Sequence, residues 1–402
     1  MNIKAASRLD SINEYYFSKK LKEIAEMNAA GKQVINLGIG SPDLPPSVQT
    51  IEKLIETAKL PTSHAYQGYV GVPALREAMA QFYKKYYRVE LNPVNEIMPL
   101  LGSKEGIMHV CMTYLETGDV ALIPNPGYPT YRAAVTLTGA ECVDYHLSAD
   151  NGWLPDYEEL EKMDLSKVKM MFVNYPHMPT GAAATKQAFQ DVVDFGKKHN
   201  ILILNDNPYS FILNEHPLSI LEAEGAKEVA LELNSLSKSH NMAGWRVGML
   251  SGKAEYLSDV LKFKSNMDSG MFLPVQLAAV EALNAETDWF NQLNDIYRER
   301  QKTVFKLMDL LDCTYNSNQK GMFVWAKAPS NSPKGGESNL PPLGGQRGAG
   351  FELSDKILYE ANVFITPGGI FGSNGDGYIR ASLCAKVEVF EAAINRIKNH
   401  VI

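Results

Sequence analysis

The chain has 402 residues, 45% of them hydrophobic and 21% charged, with a formal net charge of −7. That length exceeds one ordinary core and predicts about two domains, while mild acidity without a long basic run removes the electrostatic case for nucleic acid. No window approaches 18 consecutive apolar residues, so no membrane-spanning helix is predicted. The opening MNIKAASRLDSINEYY has no apolar h-region and predicts no signal peptide. Four cysteines, Cys111, Cys142, Cys313 and Cys384, lie far apart and form no C-x-x-C pair. They suit buried thiols in a reducing cytoplasm rather than a disulfide frame or a zinc site.

Short apolar runs then alternate with helical patterns. EIMPLLG (96–102) reads as a strand, and SKEGIMHVCMTYLETG follows with helical spacing and a terminal glycine. DVALIPNPGYP is a strand entering a proline-rich turn, and ECVDYHL is another strand. VKMMFVNYP (168–176) is apolar throughout, as in a strand covered on both faces. TKQAFQDVVDFGKKHN is an amphipathic helix, ILILND (201–206) a strand, and EVALELNSLSK and RVGMLSG complete the set. Such alternation predicts an α/β fold with a mostly parallel sheet between helices. The last hundred residues differ. A charged helical stretch, DWFNQLNDIYRERQKTVFKLMDLL, leads into the strand GMFVWAKAP. A Gly/Pro/Ser-rich stretch at about 330–350 reads as a flexible loop. FELSDKILYEANVFITPG and IRASL then give helix and strands, so a smaller α+β domain is expected, joined by the N-terminal segment.

Ligands collect at the carboxyl ends of strands in open α/β sheets, and several polar residues fall there. GSKEG (102–106) lies between a strand and a helix, where the N–H groups of Ser103 and Lys104 suit a phosphate. An ordinary βα turn with a serine cap explains it equally. Asp206 ends ILILND and can pair with a cationic ring nitrogen or simply cap its own turn. Tyr128 in NPGYP can stack on a planar ligand or pack on its prolines, and Arg380 in YIRASL can grip a carboxylate or serve a structural ion pair. Lys238 sits in SLSKSHNMAGWRVG (235–248), between Ser237 and a second serine and eight residues before Arg246. An amine attacks a carbonyl only when deprotonated, and burial beside another cation lowers its pKa. A lysine for a covalent bond, a phosphate cradle and a carboxylate for a pyridinium nitrogen together describe pyridoxal 5'-phosphate chemistry.

On these residues the chain resembles the class I and II aminotransferases, which are fold-type I pyridoxal-phosphate enzymes, over nearly its whole length. The most specific match is S-x-S-K-x-x-x-x-x-G-W-R-V-G, which puts Lys238 at the Schiff-base lysine, with Ser235 and Arg246 as phosphate ligands. The resemblance implies the phosphate turn at Ser103 and Lys104, ring stacking by Tyr128, the ring-nitrogen partner at Asp206 and the ring-oxygen partner at Tyr209. INLGIGSPDLPP implies that Gly40 lies near the substrate carboxylate, and YIRASL that Arg380 binds it. YQGYVGVPALREA implies that Tyr66 reaches the phosphate of a partner subunit, hence a homodimer with shared active sites. The fold implied is a large domain (45–295) with a mostly parallel seven-stranded sheet, plus a small domain built from 1–44 and 296–402. KSNMDSGMFLPVQ and GSKEG look most like the branch with the LL-diaminopimelate and alanine aminotransferases.

One departure is visible. The family has asparagine before P-T-G, bonded to the cofactor's ring oxygen, but NYPHMPTG puts Met178 there. A thioether is a weak acceptor and cannot donate, so His177 or Asn174 is left to compensate. Transamination of an L-amino acid with a 2-oxo acid is the activity implied. β-Elimination by a carbon–sulfur lyase of the same fold is the alternative, and a non-catalytic binding protein is a further one that the intact Lys238, Asp206 and Arg246 oppose.

Overall fold

The protein is described here by a computed structural model, which covers residues 3–10, 12, 16–329 and 348–401. Most of the expected loop at about 330–350 therefore lies outside the described residues. Its last residues open the helix Ala349–Ala361.

The first strand, β1 (Ile35–Asn36), belongs with the C-terminal part of the chain. The next seven form one sheet: β2 (Ile97–Leu100), β3 (Val120–Asn125), β4 (Glu141–His146), β5 (Val168–Val173), β6 (Leu202–Asp206), β7 (Ala230–Ser235) and β8 (Gly248–Gly252). Their spatial order is β2-β8-β7-β6-β5-β3-β4. The pairs among β3 to β7 are parallel, and only β8 runs against its two neighbours. The expected α/β fold with a mostly parallel seven-stranded sheet is what the chain adopts.

Alternation along a strand explains the continuous apolar runs. In β5, Met170 and Phe172 join a core with Ile107 and Val110 of the helix Ser103–Tyr114. Met171 and Val173 face the other way, into a core with Leu75, Met79 and Val192. Both faces are covered by helices, so neither can carry the polar alternation of a half-solvated sheet. The helices carry their own stop signals. Lys186–His199 opens at Thr185, whose hydroxyl accepts from Ala188 N, closes on left-handed Asn200, and places Lys197, Lys198 and His199 in its last turn.

The remaining strands are β9 (Thr314–Tyr315), β10 (Phe323–Lys327), β11 (Val363–Phe364), β12 (Thr366–Pro367) and β13 (Tyr378–Ser382). The order β12-β13-β10-β9 makes an antiparallel sheet, while β1 pairs in parallel with β11. Trp325 and Ile379 of this sheet share a core with Tyr297, Ile357 and Phe390 from helices Thr287–Leu310, Ala349–Ala361 and Val387–His400.

The N-terminal segment is tied down after β1. Leu37 N donates to Phe364 O at 2.8 Å, and Ser382 N donates to Leu37 O at 2.7 Å. Arg300, 3% exposed, grips Asp43 with two bonds of 2.7 and 2.8 Å and also donates to Leu383 O at 3.1 Å. A planar guanidinium suits that two-pronged geometry, and losing Asp43 strands a buried cation. Asp43→Ala should therefore lower unfolding stability by about 3 kcal/mol, read by urea denaturation, whereas Arg300→Ala in the Asp43→Ala background should cost little more.

Candidate active site

The carboxyl ends of β6 and β7 and the start of β8 meet at one place, because β8 alone runs antiparallel. Gly248 therefore pairs with both Leu100, at the end of β2, and Ser235, at the end of β7. The turn after β2 and the lysine-bearing turn after β7 are thereby brought to the same corner. A Cβ at Gly248 would stand 2.7 Å from Ser103 N, so the closing glycine of GWRVG is needed for this approach. Gly102 is equally constrained. Its φ of +90° suits glycine, and a Cβ there would lie 2.1 Å from Arg246 Nη2.

A cavity of about 380 Å³ opens at this corner. Its walls include Gly40, Ser103, Lys104, Tyr128, Met178, Asp206, Tyr209, Ser235, Ser237, Lys238, Arg246 and Arg380. Every site residue expected from the sequence is thus in one place except Tyr66, which is 92% exposed and lies outside the cavity.

At the cradle end, the helix Ser103–Tyr114 starts beside Arg246. Arg246 Nη1 donates to Ala243 O at 2.9 Å and lies 3.4 Å from Ser237 Oγ. N–H groups at a helix start, two serine hydroxyls and a guanidinium form an anion cradle. At the far end of this corner, Asp206 is 4% exposed. Its Oδ2 accepts from Tyr131 Oη at 2.9 Å, its main-chain oxygen accepts from Asn174 Nδ2, and its Oδ1 has no hydrogen-bond partner. Burial pushes its carboxyl up to about 7, against the pull of the tyrosine.

Lys238 follows β7 on the short helix Leu236–Ser239, which Ser235 caps through its hydroxyl. Its Nζ donates to Gly40 O at 2.6 Å. Loss of water lowers its pKa, and Arg380 and Arg246 push the same way. Arg380, on β13, donates through Nη2 to Gly38 O at 2.8 Å and through Nη1 to Met178 Sδ at 3.3 Å. Its guanidinium carbon lies 3.9 Å from the centre of the Phe323 ring and 4.6 Å from that of Phe371. Tyr128 and Tyr209 line the cavity, and burial raises the pKa of both phenols, keeping them neutral donors.

Of the two residues left to compensate for Met178, Asn174 lines the cavity and His177 does not. Asn174 Oδ1 accepts from Met178 N at 2.7 Å, so this asparagine spends its groups on shaping the turn. His177 Nδ1 shares a hydrogen with Thr180 Oγ1 at 2.8 Å, and burial holds its pKa down to about 3. Tyr131 was not legible as a site residue, although it stands one helical turn beyond Tyr128 in NPGYPTYR. Phe17, Leu21, Ile39, Phe323 and Phe371 also line the cavity. Isolated apolar residues carry no motif that would have singled them out.

Residues 32–397 match the family described as aminotransferase class I and II. The chain is 38% identical over 399 residues to an LL-diaminopimelate aminotransferase of Dehalococcoides mccartyi, covering 99% of each. It is 36% identical to one of Halothermothrix orenii, covering 98% of each. The substrate-bound BacF structure from Bacillus subtilis superposes with a TM-score of 0.90 at 35% identity, over 99% of this chain and 98% of that one. With the cradle, the lysine and the buried carboxylate assembled in one cavity, the chain belongs to the class I and II aminotransferases, a family of pyridoxal-phosphate-dependent enzymes of fold type I.

Proposed function

We propose that this cavity holds pyridoxal 5'-phosphate and serves a ping-pong transfer of the amino group between an L-amino acid and a 2-oxo acid. The observation that carries the reading is Asp206 Oδ1, a buried acceptor without a donor. A cationic pyridine nitrogen supplies that donor, and the anion cradle lies across the same cavity. The residues fit the group. Ser103, Lys104, Ser235, Ser237 and Arg246 would hold its phosphate, Tyr128 would cover its ring, and Tyr209 would donate to its ring oxygen. Met178, standing where the family has asparagine, cannot donate there, so Tyr209 carries that contact alone.

When bound, the cofactor supplies an electron sink for the pair left when a proton leaves the substrate's Cα. The chain's own groups do the rest. Asp206, ionised once a cation faces it, keeps that sink protonated. Arg380 takes the substrate's α-carboxylate, with Gly40 beside it. Lys238 takes the Cα proton as a neutral amine and holds it for return, and its lowered pKa enlarges the neutral fraction near pH 7. Closure of the small domain (1–44 and 296–402) on the large one (45–295) excludes water. Tyr66, exposed in one chain, belongs to a partner's cradle, which makes the enzyme a homodimer with shared sites. Placement in the cytoplasm is part of the same reading. Among the described residues, no helix is long and apolar enough to cross a membrane, and all four cysteines are free thiols. The names of the relatives favour transamination over β-elimination.

Holoenzyme mixed with an amino acid alone should lose its visible band once and release one equivalent of 2-oxo acid, followed by stopped-flow absorbance. Continuous ammonia release would indicate elimination instead. Lys238→Ala should slow the proton transfer by about 10²–10⁴-fold and abolish covalent retention of the cofactor on denaturing gel filtration after borohydride reduction. Equilibrium sedimentation should give twice the chain mass, and a single-chain mass removes the shared-site part of the reading.

Asp206 also predicts a pH dependence. Its folded-state pKa, about 7, lies above its unfolded value. The buried group therefore favours folding below the ordinary carboxylate range, and that contribution disappears as pH rises to 7. Without cofactor, Asp206→Asn should exceed the parent in stability by about 4 kcal/mol at pH 8 and match it near pH 3. With cofactor bound the ranking at pH 8 should invert.

A further inference from the structure

The wall around Arg380 differs in chemistry from the rest of the cavity. Phe323 and Phe371 flank its guanidinium, and the Phe17 ring centre lies 5.7 Å from it. Leu21, one helical turn after Phe17, and Ile39, next to Gly40, line the same space. Gly40 itself packs so closely on Phe323 that a Cβ there would fall 2.2 Å from the ring. Among the described lining residues the only carboxylate is Asp206, which the reading above assigns to the ring nitrogen. Lys104 stands beside Ser103 at the cradle, away from this set in the chain and on the helix that starts there.

Resting on the aminotransferase reading, we propose that this apolar wall selects amino acids whose side chain is apolar or aromatic, and rejects those with a distal ammonium group. A substrate has two fixed points, its α-carboxylate on Arg380 and its Cα hydrogen at Lys238. The side chain leaves Cα between them and meets Phe17, Leu21, Ile39, Phe323 and Phe371. An apolar or aromatic side chain gains burial there. A distal ammonium loses its water and, among the described residues that line the cavity of one chain, finds no carboxylate but Asp206, which costs far more than the methylenes return. Relatives named for LL-diaminopimelate share the family, but of this wall only Ile39 lies in a motif that carries the family resemblance, so membership does not fix the wall.

The test separates binding from turnover. 3-Phenylpropionate and 6-(dimethylamino)hexanoate each carry one carboxylate and no primary amine, so neither can be transaminated, and they differ in ending with a ring or with an ammonium. Titrated into the holoenzyme by calorimetry, 3-phenylpropionate should bind at least about tenfold more tightly, with a negative heat-capacity change. Equal or reversed affinities overturn the proposal whether or not the protein transaminates. In turnover, phenylalanine, leucine or methionine should exceed lysine and LL-diaminopimelate in kcat/KM by about tenfold or more. Parity, or a preference for either of the last two, also overturns it. Leu21→Glu should raise KM for the apolar donor and narrow the ratio to lysine by about tenfold, and an unchanged ratio shows that the wall does not touch the side chain. If no amino acid discharges the visible band, the aminotransferase reading fails, and the calorimetry still judges the wall by itself.

Discussion

A carboxylate shut away from water with one oxygen unanswered is the constraint around which this cavity is arranged. Asp206 ends the central strand β6, where neighbouring strands and the helices above them leave it 4% exposed. Tyr131 answers one oxygen and Asn174 braces the main chain behind it. Both residues support the group without neutralising it, since a neutral donor stabilises a buried anion far less than a cation does. A second buried carboxylate, Glu232 on β7, has a different fate. It accepts from Tyr83, Asn205, Ser219 and the Ile220 amide at 2.8 to 3.0 Å. Its needs are met within the protein, so it is a structural group, whereas Asp206 calls for a ligand.

The reversed strand β8 does the other half of the work. In a fully parallel sheet, the start of each strand lies at the edge remote from the ligand crevice. Running β8 backwards places its start at the crevice, which sets Arg246 against Gly102 and beside the lysine turn. Two glycines permit this contact, and neither tolerates a side chain without displacing the cradle. The antiparallel strand is therefore what lets one motif, read continuously from Ser235 to Gly248, serve both the lysine and the anion.

A third element closes the cavity from the opposite side. The segment after β1 runs along β11 and β13 and is pinned by Arg300 to Asp43. Its carbonyls at Gly38 and Gly40 receive Arg380 and Lys238. Two cations, one on β13 and one on the short helix after β7, thus share one short stretch of backbone, so the position of the N-terminal segment sets the spacing between Arg380 and Lys238.

The strands and helices were legible because each obeys a local rule. A two-sided apolar run such as VKMMFV has no other stable setting than a covered strand, and Thr185 and Asn200 announce their helix ends in one residue each. Lys238, Asp206, Arg246 and Ser103 were legible for a similar reason, since each sits in a short motif whose spacing the chemistry dictates. Tyr131 and the apolar wall of Phe17, Leu21, Ile39, Phe323 and Phe371 were not. These residues come from elements as far apart as the first helix, β10 and the turn before β13, and their shared role arises only when the two sheets face each other. The separation of Asn174 from His177 was likewise decided in three dimensions, by which side chain a folded turn aims inward. By itself the sequence determined the kind of sheet and the catalytic motifs, because those rest on contacts between near neighbours in the chain. Only the tertiary structure decided the shape and polarity of the cavity's apolar wall, because burial and proximity between distant segments are properties of the packed whole.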